Sequence, residues 1–339
     1  MCGEFEGSTK DDGIPDYIHI AQFAKAIADL VPEYKPTWLR INQEGNYANS
    51  FETASIAQTT ILGLAAQIKG IERITIESRP QYLTESILKE YAKIISPHNI
   101  ELEIGMGFEA ADDVVRNICV NKGENLNDLK KVVELMTAYN IRSLAYVLLK
   151  PPFLTENEAI DVAIQSIVSA TEMGFQRISL EPMSIHRFTV VDALERTNSY
   201  HVPWFWSIIK VVEQCSEIQD LGIGGIGYFP PSLYQAHNHC KHCNTEVAKV
   251  LAEYTKTRDT SVFSSLSCSC KLEWEEECRT VNNTPLKDRI NQQLNRINLN
   301  DYRAQIERDD SQVNIEQTLG SSIFIARESQ LQNVTIGGR

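Results

Sequence analysis

The sequence lacks any apolar run near the roughly 20 residues that a membrane-spanning helix needs, and its opening stretch, MCGEFEGSTKDDG, has neither the basic start nor the apolar segment of a secretory signal. A soluble, cytoplasmic protein with no membrane partner is therefore expected. No G-x-G-x-x-G fingerprint follows the first visible strand, which argues against a nicotinamide dehydrogenase. Basic residues are in deficit: 32 Lys and Arg face 45 Asp and Glu, a formal charge of −13. The surface as a whole does not hold nucleic acid by charge neutralisation, although a local basic groove is compatible with this balance.

What is present is length and alternation. At 339 residues the chain can bury one large core, and an α/β barrel uses roughly 200 to 400 residues. Helical spacing over Tyr17–Leu30 precedes a strand at Thr37–Ile41, so the chain opens on a helix and the first β/α unit of a barrel is missing from the sequence. Helices at 50–68, 82–95, 110–120, 125–139, 156–172 and 203–215 alternate with strands at 73–76, 101–104, 143–149, 177–180 and 218–222. Thr155 and Glu158 form a capping box for the 156–172 helix, and Gly174 ends it. Such alternation means parallel strands covered by helices.

Five strand-like runs end on polar or charged residues: Asn42-Gln43-Glu44-Gly45, Glu77-Ser78-Arg79, Gly107-Phe108-Glu109, Lys150-Pro151-Pro152 and Glu181-Pro182. In an α/β barrel those ends carry the chemistry, so a partial (β/α) barrel of TIM type is favoured over an open doubly wound sheet. Residues 1–228 are assigned to that barrel, 229–280 to a Cys-rich metal-binding region and 281–339 to a helical and polar tail. Within the tail, 284–308 reads as one amphipathic helix, and 309–339 show little periodicity and receive no role.

Eight cysteines in a chain with no secretion signal read as metal ligands and buried thiols, not as a disulfide framework. Cys240-Lys-His-Cys243 and Cys268-Ser-Cys270 can supply four thiolates to a tetrahedral, structural Zn at about 2.3 Å each. Cys278 competes for the fourth position, and His237, His239 and His242 add nitrogen alternatives. An iron–sulfur cluster at this place is a further option. Cys119 and Cys215 lie in predicted helices and read as small buried residues.

The stretches ITIESRPQYLTESILKEYAKI, ELEIGMGFEAADDVVRNICVNKG and LLKPPFLTENEAI, then SLEPMSIHRFTVVDALE, YHVPWFWSIIKVVE and HNHCKHCN, resemble radical S-adenosylmethionine enzymes of the elongator catalytic subunit branch, near the radical partner of archaeosine synthase. The resemblance covers most of residues 1–275. It implies a partial β/α barrel in which a 4Fe-4S cluster cleaves S-adenosylmethionine to a 5′-deoxyadenosyl radical that removes hydrogen from a substrate. The family holds the cluster on C-x-x-x-C-x-x-C after its first strand, and Met1-Cys2-Gly3 looks like the end of that motif. The expectation is that the first two cysteines lie upstream; the alternative is a relative that has lost its cluster and acts as a zinc-stabilised barrel binding tRNA or a protein.

The resemblance further implies that Gly45 and its neighbours Glu44 and Asn46 meet the methionyl amino group through backbone acceptors and that Glu77 accepts from ribose hydroxyls or the ammonium. Glu109 and Arg116 occupy the family's G-x-E and following Arg positions, and a guanidinium suits the cofactor carboxylate. Arg79 could be structural instead. Lys150 and Glu181 point into the barrel mouth toward substrate, or form a buried salt bridge. Trp204 and Trp206 stack on a substrate base or pack in the core. The implied substrate class is a tRNA nucleoside, with a partner subunit and a reductant protein. A metal-dependent hydrolase would need His and Asp at strand ends, where the sequence offers Glu, Gln and Lys.

Overall fold

The structure, a computed structural model, describes residues 15–42, 46–226, 232–312 and 333–337. The chain enters on α1 (Asp16–Tyr34) and then alternates: β1 (Trp38–Asn42), α2 (Ser55–Ala66), β2 (Arg73–Glu77), α3 (Glu85–Ile95), β3 (Glu101–Glu109), α4 (Leu126–Ala138), β4 (Arg142–Leu149), α5 (Glu156–Met173) and β5 (Arg177–Pro182). Two helices, α6 (Val190–Arg196) and α7 (Phe205–Gln214), lead to β6 (Leu221–Ile223). The C-terminal part adds α8 (Asn244–Thr257), α9 (Cys270–Arg279), α10 (Leu286–Leu294), α11 (Leu299–Gln312) and β7 (Asn333–Gly337). All neighbouring strands are parallel, in the order β6-β5-β4-β3-β2-β1-β7, so the sheet is a partial barrel whose edges are β6 and β7. No described helix is long and apolar enough to cross a membrane.

The strands divide their side chains by a period of two. Leu39, Ile41, Ile74, Ile76, Leu102, Ile104, Val147, Ile178 and Leu180 are buried in the apolar core with residues of the surrounding helices. Each such side chain removed from water contributes about 1.5–3 kcal/mol. The alternate positions, among them Arg40, Thr75, Glu103, Tyr146, Arg177 and Glu181, meet one another across the sheet instead.

Local chemistry sets the helix ends. Thr155 and Glu158 close the capping box on α5, and Gly174 at φ 100° terminates it. The helix expected from residue 50 begins only at Ser55, because the preceding polar residues bond one another: Phe51 N–H donates to Asn49 Oδ1 at 3.1 Å, and Asn49 Nδ2 to Glu52 Oε1 at 2.6 Å. The single helix expected over 284–308 is two helices. Asn298 Oδ1 accepts from the Asn300 N–H at 3.0 Å, so it caps α11 and starts a new axis. Residues beyond 309, given no element from sequence, include β7, which lies in register along β1 from Trp38↔Asn333 to Asn42↔Gly337.

Candidate active site at the barrel mouth and the thiol cluster

The lower lumen is an ion network. Glu103, fully buried, accepts from Thr75 Oγ1 and Arg177 Nη1, each at 2.9 Å, and pairs with Arg142 Nε at 3.3 Å. The Arg177, Arg73 and Arg40 guanidinium carbons lie 4.5, 5.0 and 5.3 Å from the Trp38 ring centroid, where cations are attracted to the π face. This layer fills the base of the barrel with compensated charge.

Above it the strand ends converge. Tyr146 on β4 donates its hydroxyl to Glu77 Oε1 on β2, and the Arg40 guanidinium feels the charge of Glu77, Glu181 and Glu103. Gly105 makes the Tyr146 position possible: a Cβ there would stand 2.7 Å from the ring. Ser179 Oγ donates to Glu181 Oε1 at 2.6 Å, and burial pushes the Glu181 carboxyl up from 4.5 to about 7. A Cβ on Gly224 would come within 2.1 Å of the same carboxylate oxygen. Three buried polar atoms at this end of β1 and β2 have no hydrogen-bond partner: Arg40 Nε, Asn42 Oδ1 and Ser78 Oγ. Unmatched groups of this kind cost about 1–3 kcal/mol each unless a ligand or water meets them.

Glu109 ends β3 at φ 61° and accepts from Lys122 Nζ at 2.8 Å. Lys150 follows β4 at φ 62°. Left-handed backbone at two successive strand ends, in residues that are not glycine, stores strain of the kind found at functional sites.

The sequence-derived candidates scatter in an informative way. Glu77 and Glu181 both come within the field of Arg40. Glu44, Gly45 and Cys2 lie outside the described residues. Arg116 is only 2% exposed, and its donors are taken by the carbonyls of Ala110, Ala111 and Glu124 and by Asp113, so its guanidinium braces the loop after β3 and offers no free fork. Arg79 likewise ties down a loop, donating to Glu124 Oε1 at 2.8 Å and Lys122 O at 2.9 Å.

Lys150 is also 2% exposed and makes the buried ion pair: its Nζ is 2.5 Å from Glu156 Oε2 and 3.0 Å from His201 Nε2. Glu156 also accepts from the Trp204 N–H at 3.0 Å, and Trp204 Nε1 donates to Glu277 Oε2 at 2.8 Å. Burial and the Lys150 charge pull the His201 imidazole down to about 3, so it is neutral in this network. Trp204 and Trp206 are 4% and 2% exposed, which makes them core residues.

Sequence reading missed Arg40, Glu103, Tyr146 and Arg177. A signal for them exists: Arg73-Ile-Thr75-Ile-Glu77, Glu101-Leu-Glu103-Ile and Arg177-Ile-Ser179-Leu-Glu181 alternate polar with apolar, which marks a polar lumen and not only strand ends.

In the C-terminal part, the sulfurs of Cys240, Cys243, Cys268 and Cys270 all lie within 4.8 Å of one another. Cys240 Sγ is 3.7 Å from Cys268 Sγ, and Cys243 Sγ is 3.7 Å from Cys270 Sγ. Tetrahedral Zn with bonds of about 2.3 Å would hold its thiolates about 3.8 Å apart, so the donor set and its spacing fit Zn. Polar hydrogens already face the sulfurs: His242 N–H to Cys240 at 3.4 Å, Asn238 Nδ2 to Cys243 at 3.3 Å and Trp206 Nε1 to Cys270 at 3.3 Å. Such outer contacts orient thiolate ligands and soften their charge. Cys278 stands apart, near Glu156, Glu277 and Lys150.

Parallel strands in consecutive order, open at β6 and β7, with polar side chains gathered at their carboxyl ends, define the class: a partial α/β barrel. No protein-family model matches the chain. It is 31% identical over 300 residues to an uncharacterised protein of Methanocaldococcus jannaschii, covering 85% of this chain and 80% of that protein. It is 29% identical over 280 residues to archaeosine synthase subunit beta of Methanosarcina acetivorans, covering 81% and 78%. Among solved structures, Elp3 of Methanocaldococcus infernus with an N-terminal deletion (1–46) superposes with a TM-score of 0.50 at 12% identity; the match covers 71% of this chain and 59% of that one, and the likeness is one of fold. The chain belongs to the family of the Methanocaldococcus jannaschii protein, is similar in sequence to archaeosine synthase subunit beta, and shares its partial-barrel fold with Elp3.

Proposed function

We propose that this protein is a radical S-adenosylmethionine enzyme of tRNA nucleoside modification, working in the cytoplasm with a partner subunit and a reductant protein. The observation that carries the reading is the barrel mouth, where Arg40, Glu77, Tyr146 and Glu181 from four strands converge; β1 and the residue after β2 also carry the unmatched Arg40 Nε, Asn42 Oδ1 and Ser78 Oγ. A polar ligand rich in hydroxyl, amino and carboxylate groups would satisfy them. The substrate class and the partner subunit are inferred from the relatives named archaeosine synthase subunit beta. The acidic balance of the chain, −13, fits a division of labour in which a partner holds the RNA.

A reduced 4Fe-4S cluster with S-adenosylmethionine would supply the radical chemistry. Among the described residues the one group of three or more neighbouring thiols is the C-terminal cluster, and Cys2 lies outside them. Glu77 and Glu109 are assigned to the cofactor's hydroxyl and ammonium groups, with Glu44 and Gly45 on the adjoining stretch. Glu181 is assigned to the substrate side, where a carboxyl near neutrality can hold or release one proton at its Oε atoms. Lys150 acts as a positioning residue through Glu156, and Zn on Cys240, Cys243, Cys268 and Cys270 acts structurally.

The test is anaerobic incubation of the reduced, iron-loaded full-length protein with S-adenosylmethionine and tRNA, with mass-spectrometric detection of 5′-deoxyadenosine and methionine. Product formation that falls at least tenfold in Glu77→Gln is expected. Absence of both products with a fully iron-loaded protein would overturn the catalytic reading and leave a barrel that binds tRNA or a partner.

A further inference from the structure

Two exposed aromatic side chains stand on the rim of the mouth, on the loops that follow β5 and β6: Phe188 is 48% exposed and Tyr234 is 49% exposed. Neither belongs to the apolar core. The two loops are tied together by an antiparallel bridge between Ile185 and Tyr234. In it the Ile185 N–H donates to Tyr234 O at 2.9 Å and the Leu233 N–H to Ile185 O at 2.8 Å.

The β5 loop is braced around Phe188 from further directions. Thr189 Oγ1 donates to His186 O at 2.7 Å and accepts the Asp192 N–H at 3.2 Å. From α11, the Tyr302 hydroxyl donates to the buried Asp192 Oδ2 at 2.7 Å and accepts the Phe188 N–H. Phe188 itself sits at φ 61°, a left-handed backbone that is unfavourable for a bulky residue. An unfavourable conformation fixed by several elements, with a large ring left in solvent, marks a residue kept for contact and not for packing. Charge in these elements is balanced: Arg187, Arg196 and Arg303 match Asp192, Glu195 and Asp301 in number, in a chain whose net charge is −13. A contact at this rim therefore works through the uncharged ring faces, not through phosphate neutralisation. β5 also carries Glu181, assigned above to the substrate side, so a protein seated on the rim would close the entrance that the substrate uses.

We propose that Phe188, flanked by Tyr234, is a stacking platform for an unpaired nucleobase of the RNA at the entrance to the mouth. The inference rests on the tRNA reading above and adds the residues that receive the base. A partner holds the body of the RNA, and this rim stacks on one nucleotide lifted from it. Stacking on an aromatic face tolerates any base, and a stacked base releases no counterions.

The experiment is fluorescence-anisotropy titration of a labelled tRNA transcript with the whole protein, without S-adenosylmethionine, so that binding is read apart from turnover. Phe188→Ala should weaken binding at least fivefold and leave the slope of log Kd against log salt unchanged. Phe188→Tyr, which keeps the ring, should stay within about twofold of the unaltered protein. In Phe188→Trp the new indole should be shielded from acrylamide by tRNA; none of the four native tryptophans is exposed, so the change is read at position 188. Equal affinity in Phe188→Ala, a changed salt slope, or an indole that tRNA leaves accessible would each overturn the proposal. Shielding produced by concentrating the protein without tRNA would give the rim to a second copy of the chain and overturn it too. So would the absence of tRNA binding by the unaltered protein, whereas 5′-deoxyadenosine formation tests the radical reading on its own.

Discussion

The thiol cluster and the barrel mouth handle buried polar groups in opposite ways. Cys240, Cys243, Cys268 and Cys270 come from two short stretches at the starts of α8 and α9, reach near-tetrahedral spacing at 3.7 Å, and face N–H groups of Asn238, His242 and Trp206. The mouth takes one side chain from each of several strands, opposes Arg40 to two strand-end carboxylates, and leaves Arg40 Nε, Asn42 Oδ1 and Ser78 Oγ unmatched. A site that is complete on its own terms holds structure together. A site with unmatched donors and acceptors is kept at a cost in stability, which is reasonable only if something binds there.

Breaking the thiol side carries the largest expected effect. Ligand binding free energy at a structural Zn site is folding free energy, on the order of 10 kcal/mol in small domains. Stripping metal with a chelator under reducing conditions, or Cys243→Ser, should release α8 and α9 to rapid amide exchange while β3 and β4 stay protected, as read by hydrogen-exchange mass spectrometry. Unchanged protection of α8 and α9 after verified metal loss would make the cluster incidental to the fold.

The join between the two regions is the next place to press. Glu277 lies on α9, which begins with Cys270, and reaches Trp204 at 2.8 Å and His201 at 2.8 Å beside Lys150 and Glu156. Lys150→Met leaves the Glu156 charge buried without its ammonium and should cost about 3–5 kcal/mol in chemical denaturation. The double variant Lys150→Met/Glu156→Gln should recover much of that, because the loss comes mostly from the orphaned charge. Equal destabilisation in single and double variants would mean that Lys150 contributes through packing.

This contrast also explains what the sequence disclosed. The β/α alternation, the capping box on α5 and the grouping of four cysteines rest on short-range patterns, and the structure has those elements near the expected positions. The lumen network depends on pairings such as Thr75 with Glu103 and Arg177 with Glu103, 28 and 74 residues apart, which no local window contains. Arg116 departs from its expected free fork for the same reason, and Lys150 takes the buried salt bridge that the sequence also allowed. Each stands where a strand end would present it, but loop carbonyls or Glu156 reach it first. The break before α11 depends on one capping side chain, Asn298, which helical periodicity alone does not weigh against a continuous apolar stripe.

The smallest effect sharpens the comparison most, because it asks what settles the charge at the mouth when no metal does. Burial raises the Glu181 carboxyl from 4.5 to about 7, so the folded protein keeps this proton to a higher pH than the unfolded chain. The resulting stability is fully present below about pH 4.5 and is lost as pH rises to about 7; at about 1.4 kcal/mol per pH unit this amounts to ~3 kcal/mol. Glu181→Gln, which keeps shape and has no proton to lose, should remove that fall, so that its stability relative to the unaltered protein grows by ~2.5 kcal/mol between pH 5 and pH 8 in urea titrations. His201, lowered by burial from 6.5 to about 3, adds stability as pH rises through that interval, but it does so equally in both proteins and cancels in their difference. Parallel stability profiles for the two proteins would mean that Arg40 holds Glu181 ionised throughout, and the mouth would then bind its ligand by fixed charge, with no exchangeable proton at Glu181.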